Sequence, residues 1–523
     1  AVVEFRGEYY MFVTRSWGYW HSKDLLNWDF ITPEKWYFEG CNAPAAHNYK
    51  DSVLYVCGNP SGAMSILYTD NPKRGDWKAV PSVLHDLQDP ALFIDDDERA
   101  YMYWGSSNRW PIRGKELDMK NKFLPIAKKP DSLLFLRPDI HGWERFGENH
   151  TSDIKPFIEG AWMTKHNGKY YLQYAAPGTQ FNVYGDGVYV GKSPLGPFEY
   201  AAHNPFCYKP GGFATGAGHG STVCGPGGIY WHFGTIHLSI NYKFERRLCM
   251  FPTFFDEDGA MYSDTYFGDY PHYSPDQVSR QTTSGGFRGW MLLSYGKPVK
   301  ASSQLESYPV ENVTDENLKT FWVAEKNDDK QWVEIDLEEV SDVYALQLNF
   351  FDYEETGFWG RMPNLRQRYL VEASVDGARW RVLVDYRNSF RDAPHNYIEL
   401  DQQIEARYIR YRHHYVPGKN LAMGDIRVFG LGRGKKPATV KGFTVVREAD
   451  ERNARISWKA VKGAQGYNVL WGVALDKLYS SWMVYGDNSL DLRALTVGQK
   501  YYFAIESFNE NGISQRVFLR EAH

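Results

Sequence analysis

Residues 156–176 read PFIEGAWMTKHNGKYYLQYAA. An apolar lead-in reaches a lone carboxylate, Glu159, and the strand after it turns at Asn167-Gly168 into an aromatic-rich strand. Asn-Gly between two such runs is a hairpin signal. The same design occurs four more times, as VVEFRGEYYMFVT (2–14), HNYKDSVLYVCG (47–58), ALFIDDDERAYMYWG (91–105) and TVCGPGGIYWHFG (222–234), beside MTKHNGKYYLQYA (163–175). Most copies are followed by a second hairpin, such as VYVGKSPLGPFEYA from Val188. The copies lie roughly 45 to 70 residues apart, room for four short antiparallel strands each. Five copies predict a five-bladed β-propeller over about residues 1–288, and helical periodicity is absent throughout.

The rest of the 523 residues exceeds what one core holds, so further domains are expected. A polar, glycine-rich stretch, SRQTTSGGFRG (279–289), reads as a linker. Residues 289–433 alternate as strands again, in WVEIDLEEV, ALQLNFF and YLVEASVDGARWRVLVDY, with a hairpin at Asp376-Gly377, and predict a jelly-roll β-sandwich. After GRGKKPAT, residues 438–523 predict an immunoglobulin-like sandwich. There Leu495, Gly498 and Tyr501 have the spacing of a tyrosine corner. The fold class is all-β.

Net charge is −5 with no long basic run, which argues against nucleic acid as a partner. No apolar run reaches the length of a membrane span. The five cysteines lack metal-type spacing and predict buried thiols rather than a disulfide framework. Aromatic content is 16%, which suits both many strands and a sugar-binding surface. The chain opens directly in a strand signal, so upstream residues are expected, either removed or outside this sequence.

A propeller gathers the inner ends of its blades around one shaft. Polar residues just before the first strand of each repeat therefore converge. Asp89 precedes the third repeat, Glu159 the fourth and His219 the fifth. Paired carboxylates suit glycoside cleavage, where one group protonates the leaving oxygen and another activates water. Trp17 and Trp162 are the candidate sugar-stacking rings. Trp20, Trp104 and Trp110 are further aromatics expected near the pocket, and HGWERFGENH (141–150) is a polar insertion expected to be a lid or a long surface loop.

The segments QDPALFIDDD, PIRGKELD, IEGAWMTKHNGKYYLQYA, GAGHGS and RRLCMFPTFFDEDG resemble glycoside hydrolase family 43 in order and spacing over about residues 1–275. The resemblance implies Glu159 as general acid, Asp89 as the carboxylate that tunes it, His219 as a shaft histidine, and Arg246 or Arg247 as a substrate-side arginine. The general base it implies is an Asp just ahead of Ala1, outside this sequence. Ala43-Pro44-Ala45 departs from the family's common Trp-Ala-Pro-acid pattern. The middle unit resembles an F5/8 type C (discoidin-like) domain through GKPVKASS, NVTDENLKTFWVA, QWVEIDL and MGDIRVFG. That resemblance implies structural Ca²⁺, in the sandwich or the shaft and not needed for chemistry, with Asp315 and Asp425 as the sandwich's candidate ligands. The loop FFDYEETGFWGR (350–361) exposes aromatics for sugar or for packing on the propeller. The last unit resembles fibronectin type III and is expected to be a spacer.

Together these readings imply an exo-acting inverting glycosidase of oligo- or polysaccharide, secreted or periplasmic in a bacterium. Terminal α-L-arabinofuranosides or β-D-xylosides are the implied substrates. The alternatives are an exo-β-1,3-galactosidase and a non-catalytic glycan-binding propeller. Oligomeric state is not legible.

Overall fold

The computed structural model describes residues 1–36, 41–59, 63–127, 129–278, 286–354 and 365–519. Among them the regular structure is almost entirely strand, and no helix is long and apolar enough to cross a membrane. All five cysteines are free thiols, and Cys224 is exposed.

Among the described residues of 1–263, five antiparallel sheets of four or five strands follow one another in chain order, with one further two-stranded pair, Ala63–Met64 with Leu84–His85. Their first strands are Val2–Phe5, Asn42–Tyr49, Ala91–Ile94, Glu159–His166 and Gly216–Cys224. Each first strand pairs with the next in sequence through a short turn. In two of these turns the left-handed geometry of a type I′ turn is explicit: φ is 48° and 73° at Asn167 and Gly168, and 55° and 76° at Arg6 and Gly7. Each first strand lies against the first strand of the following sheet, and Gly216–Cys224 lies against Val2–Phe5. The row therefore closes on itself, and Val2 N–H donates to Ser221 Oγ at 2.8 Å across the closure. Strands sandwiched in this way are covered on both faces. Ala91–Ile94 and Ala100–Trp104 are buried at every position, and their sequences are accordingly unbroken apolar runs.

In the middle unit the long strands Trp332–Phe350 and His395–Tyr415 pair antiparallel, with register shifts at Asp336/Ser341 and Val343/Ala345. Such shifts bend a strand, and here one pair of strands encloses a core of Trp322, Val333, Leu346, Tyr369 and Tyr411. The hairpin foreseen at Asp376-Gly377 joins Arg368–Ser374 to Arg381–Asp385. The last unit has a three-stranded sheet, Lys441–Arg447, Ala454–Lys459 and Ser489–Leu492. A second sheet is centred on Gly466–Gly472 and Tyr502–Asn509. Tyr501 is buried, and its Oη accepts the Thr496 N–H at 3.2 Å, the bond a tyrosine corner makes.

Two expectations are corrected here. The 141–150 insertion is not a free surface loop: it is the dock for the last unit. Gly142 N–H donates to Leu495 O at 2.8 Å, Arg145 Nη2 donates to Asn453 Oδ1 and Arg493 O at 2.6 and 2.7 Å, and His141 Nδ1 lies 3.1 Å from Thr496 Oγ1. Trp143, fully buried, donates from Nε1 to Tyr200 Oη at 2.8 Å. A polar stretch takes this place because its backbone and side chains need partners once they are covered. Nor is the last unit a spacer. Phe267 and Tyr270, Leu292 and Phe429, and Met483 and Phe508 share one apolar cluster, so all three units meet in a common core. Residues 279–285 of the foreseen linker and 355–361 of the foreseen aromatic loop lie outside the described residues.

Candidate active site

Asp89, Glu159 and His219, each half-buried, come from three different sheets, and one polar atom from each lies within 4.8 Å of the others. Irregularities in the strands put them there. The pairing of Glu159–His166 shifts between Glu159 and Trp162, and Gly160 sits at φ 65°. The pairing of Gly216–Cys224 shifts twice between Gly216 and Ser221, with His219 itself at φ 53°. Asp89, before Pro90, is at φ 49°. Bulges re-aim side chains at strand ends, and strained backbone persists where surrounding structure dictates it. Gly160 also permits close approach, since a Cβ there would stand 2.9 Å from His219 Cγ.

Two hydroxyls orient Glu159: Ser106 Oγ donates to Oε2 at 2.9 Å and Tyr184 Oη to Oε1 at 2.5 Å. Ser106 also bonds Asp89. Burial, then the Glu159 charge, push the Asp89 carboxyl up to about 6, against the opposing pull of His219, Ser106 and Arg246. Burial and the adjacent Glu159 hold the Tyr184 phenol far above its ordinary value, so it remains a donor.

Beneath His219 lies a buried polar chain. Asp186, fully buried, accepts the His219 and Gly220 N–H groups at 2.8 Å each. Its Oδ2 faces His232 Nε2 at 3.0 Å, and His232 continues through Thr222 to Gln173 and Thr164. Asp186 thereby holds the strained turn that presents His219. Ser106, Tyr184, Asp186 and His232 were not foreseen. Ser106 and Tyr184, just outside strands, and Asp186 and His232, within them, carry no distinguishing local pattern, and only the repeat alignment, extended to later strands, could have flagged them.

The arginine left open by the sequence divides clearly. Arg246 acts electrostatically on Asp89 and Tyr184. Arg247 turns to the middle unit, its Nε 3.2 Å from His395 Nε2 and its Nη2 3.7 Å from Asp352 Oδ2. Trp162 packs against the apolar cluster of the second and third sheets that contains Trp104. Trp17 is 44% exposed, before strand Tyr19–Ser22. In the sandwich, Asp315 accepts from Asn317 N and Thr320 Oγ1, and buried Asp425 accepts the Glu316 N–H at 2.8 Å through Oδ1. Asp425 Oδ2 is buried with no hydrogen-bond partner, and Glu316 and Asp315 act on this carboxyl electrostatically. An orphaned buried carboxylate oxygen beside a second acid fits a hard cation.

Residues 1–261 match the family model described as glycosyl hydrolases family 43, and residues 298–423 match the F5/8 type C domain model. A "Beta-xylosidase" of Xylanibacter ruminicola is 33% identical over 202 residues, 35% of this chain and 57% of that protein. An "Arabinoxylan arabinofuranohydrolase" of Bacillus subtilis (strain 168) is 30% identical over 189 residues, 32% of this chain and 34% of that protein. The chain thus spans less than two thirds of the length of these relatives. A solved structure titled "Glycoside hydrolase" superposes with a TM-score of 0.45 at 19% identity, covering 82% of this chain and 96% of that one. The chain therefore carries a segment that matches the family 43 model and, after it, one that matches the F5/8 type C model.

Proposed function

We propose that the five sheets are the blades of a β-propeller and that the chain is an exo-acting, inverting glycoside hydrolase. It releases terminal α-L-arabinofuranosyl or β-D-xylosyl units from plant-type polysaccharide. The observation that carries this reading is the convergence of Asp89, Glu159 and His219 from three sheets to within 4.8 Å. Glu159 is the general acid: two hydroxyls each occupy one carboxylate oxygen and fix its direction toward the leaving group. Asp89 tunes it, because two carboxyls this close do not both ionise freely. An inverting acid and base stand about 6.5–9.5 Å apart, wider than this grouping, so Asp89 is not the base. The base is assigned to an Asp ahead of Ala1. In support, Val2 bonds Ser221, two residues past His219, so the chain preceding Val2 runs beside that turn. Arg246 lies on the same side and binds substrate.

The same reading assigns the last unit to the fibronectin type III type, on its two sheets and the Tyr501 corner. It assigns a structural Ca²⁺ to Asp315 and Asp425 of the sandwich.

The test is a screen on nitrophenyl arabinofuranoside, xyloside and galactoside, then on oligosaccharides of the preferred sugar, with Glu159→Gln alongside. Loss of the acid should lower kcat about 10²- to 10⁴-fold on oligosaccharide. The loss should be smaller on the nitrophenyl glycoside, whose leaving group needs little protonation. A variant that matches the parent on oligosaccharide refutes the role of Glu159. No turnover of any substrate favours a glycan-binding protein.

A further inference from the structure

The loop between strands Ala100–Trp104 and Ile112–Asp118 begins at the acid centre and ends in solvent. Ser106 donates to Glu159, and Ser107 exchanges backbone hydrogen bonds with Ile158 in both directions at 3.0 Å. Ser107 Oγ then accepts the N–H groups of Arg109 and Trp110 at 2.9 and 3.0 Å, which folds the tip back on its own anchor. The tip is thus tied to the strand that carries Glu159.

Trp110 stands on that tip, 55% exposed although aromatic. The guanidinium of Arg109 lies 5.0 Å from its ring centroid and that of Arg113 lies 5.4 Å away. Neither arginine has a carboxylate within 4 Å among the described residues, although many surface arginines of this chain do, such as Arg99 and Arg137. The indole acts as a splint. It restrains two guanidiniums within 5.4 Å of one ring, and no carboxylate among the described residues occupies their N–H forks. Trp110 is four residues from Ser106, so it lies within about 14 Å of it along the chain, the span of two or three sugar rings.

We infer that Arg109, Trp110 and Arg113 form a carboxylate-binding clamp on the leaving-group side of the site, and that the glycan preferred there carries uronic acid residues. The inference rests on the glycosidase reading, since Glu159 must protonate the oxygen of the leaving chain for that side to be occupied. A guanidinium binds a carboxylate bidentately, two held on one ring offer two such forks, and a neutral chain leaves them unpaired.

Binding separates this inference from the catalytic reading, because it needs no turnover. In full-length Glu159→Gln protein, calorimetry compares a uronate-bearing oligosaccharide with the same oligosaccharide after reduction of its carboxyl groups to alcohols. The acidic form should bind about tenfold more tightly at low salt, and the advantage should shrink as salt rises. Arg109→Ala combined with Arg113→Ala should abolish the difference, and Trp110→Ala should reduce it. Arg109 and Trp110 are exposed and Arg113 is half-buried, so the variants should fold, and circular dichroism checks this. Equal affinity for the two oligosaccharides, or a preference that survives the double substitution, overturns the clamp. Failure of the parent to hydrolyse any glycoside would instead strike the catalytic reading.

Discussion

At the scale of single residues, the carboxyl raised by its surroundings is Asp89, and its pH dependence has a definite sign. The folded value of about 6 exceeds the ordinary 3.8. Between these values the folded state keeps a proton that the unfolded chain releases, so stability falls as pH rises through that window. Asp89→Asn carries no such proton. Thermal melts from pH 4 to 7 should therefore show the parent losing stability relative to Asp89→Asn up to about pH 6, and a constant gap thereafter. A gap independent of pH would show that Asp89 titrates normally. Asp89 and Glu159 were legible because they stand at equivalent places in the repeat. Ser106 and Tyr184, which aim Glu159, were not, because a hydroxyl beside a strand end acquires its role only when another sheet is laid beside it.

At the scale of elements, the strand irregularities and the 141–150 insertion do the positioning. The insertion buries Glu144 completely, with Tyr174 Oη donating to Oε1 at 2.6 Å and Arg137 N–H donating to Oε2 at 2.5 Å. Burial pushes this carboxyl up to about 8. Folding therefore favours the protonated form, and that stability is lost as pH rises through about 8. Glu144→Gln keeps an acceptor oxygen for only one of these two donors, but cannot ionise. The variant should lose less stability than the parent between pH 6 and 9, as followed by melting temperature. An identical slope in the two proteins would mean that Glu144 is not held neutral. The sequence showed the insertion and its polarity. Its partner, more than 300 residues away, is set by tertiary contact.

At the scale of the whole molecule, the shared cluster of Phe267, Tyr270, Leu292, Phe429, Met483 and Phe508 makes the three units energetically one body. One buried arginine adds to the junction: Arg427 Nη2 pairs with Glu316 at 2.7 Å within the middle unit, while Nη1 donates to the Asp269 backbone O of the first at 2.6 Å. Removing any unit would uncover apolar surface on the others, at about 25 cal/mol per Å². Calorimetry of the full chain should give one cooperative transition rather than three. If Asp315 and Asp425 hold Ca²⁺, chelation should lower that same transition as a whole. Separate transitions would contradict the common core, and a melt insensitive to chelator would contradict the ion.

The amino-acid sequence by itself determined the strands, their two-residue turns, the five-fold repeat and the carboxylates at equivalent repeat positions. Each of these depends on residues close in the chain: alternation, Asn-Gly at positive φ, an acid ahead of a strand. Tertiary structure alone decided which arginine faces the acids, which hydroxyls aim Glu159, how Asp186 holds His219, and that the last unit is bolted to the first through 141–150. Those features depend on where sheets distant in sequence come to rest against one another, and no local periodicity encodes that distance.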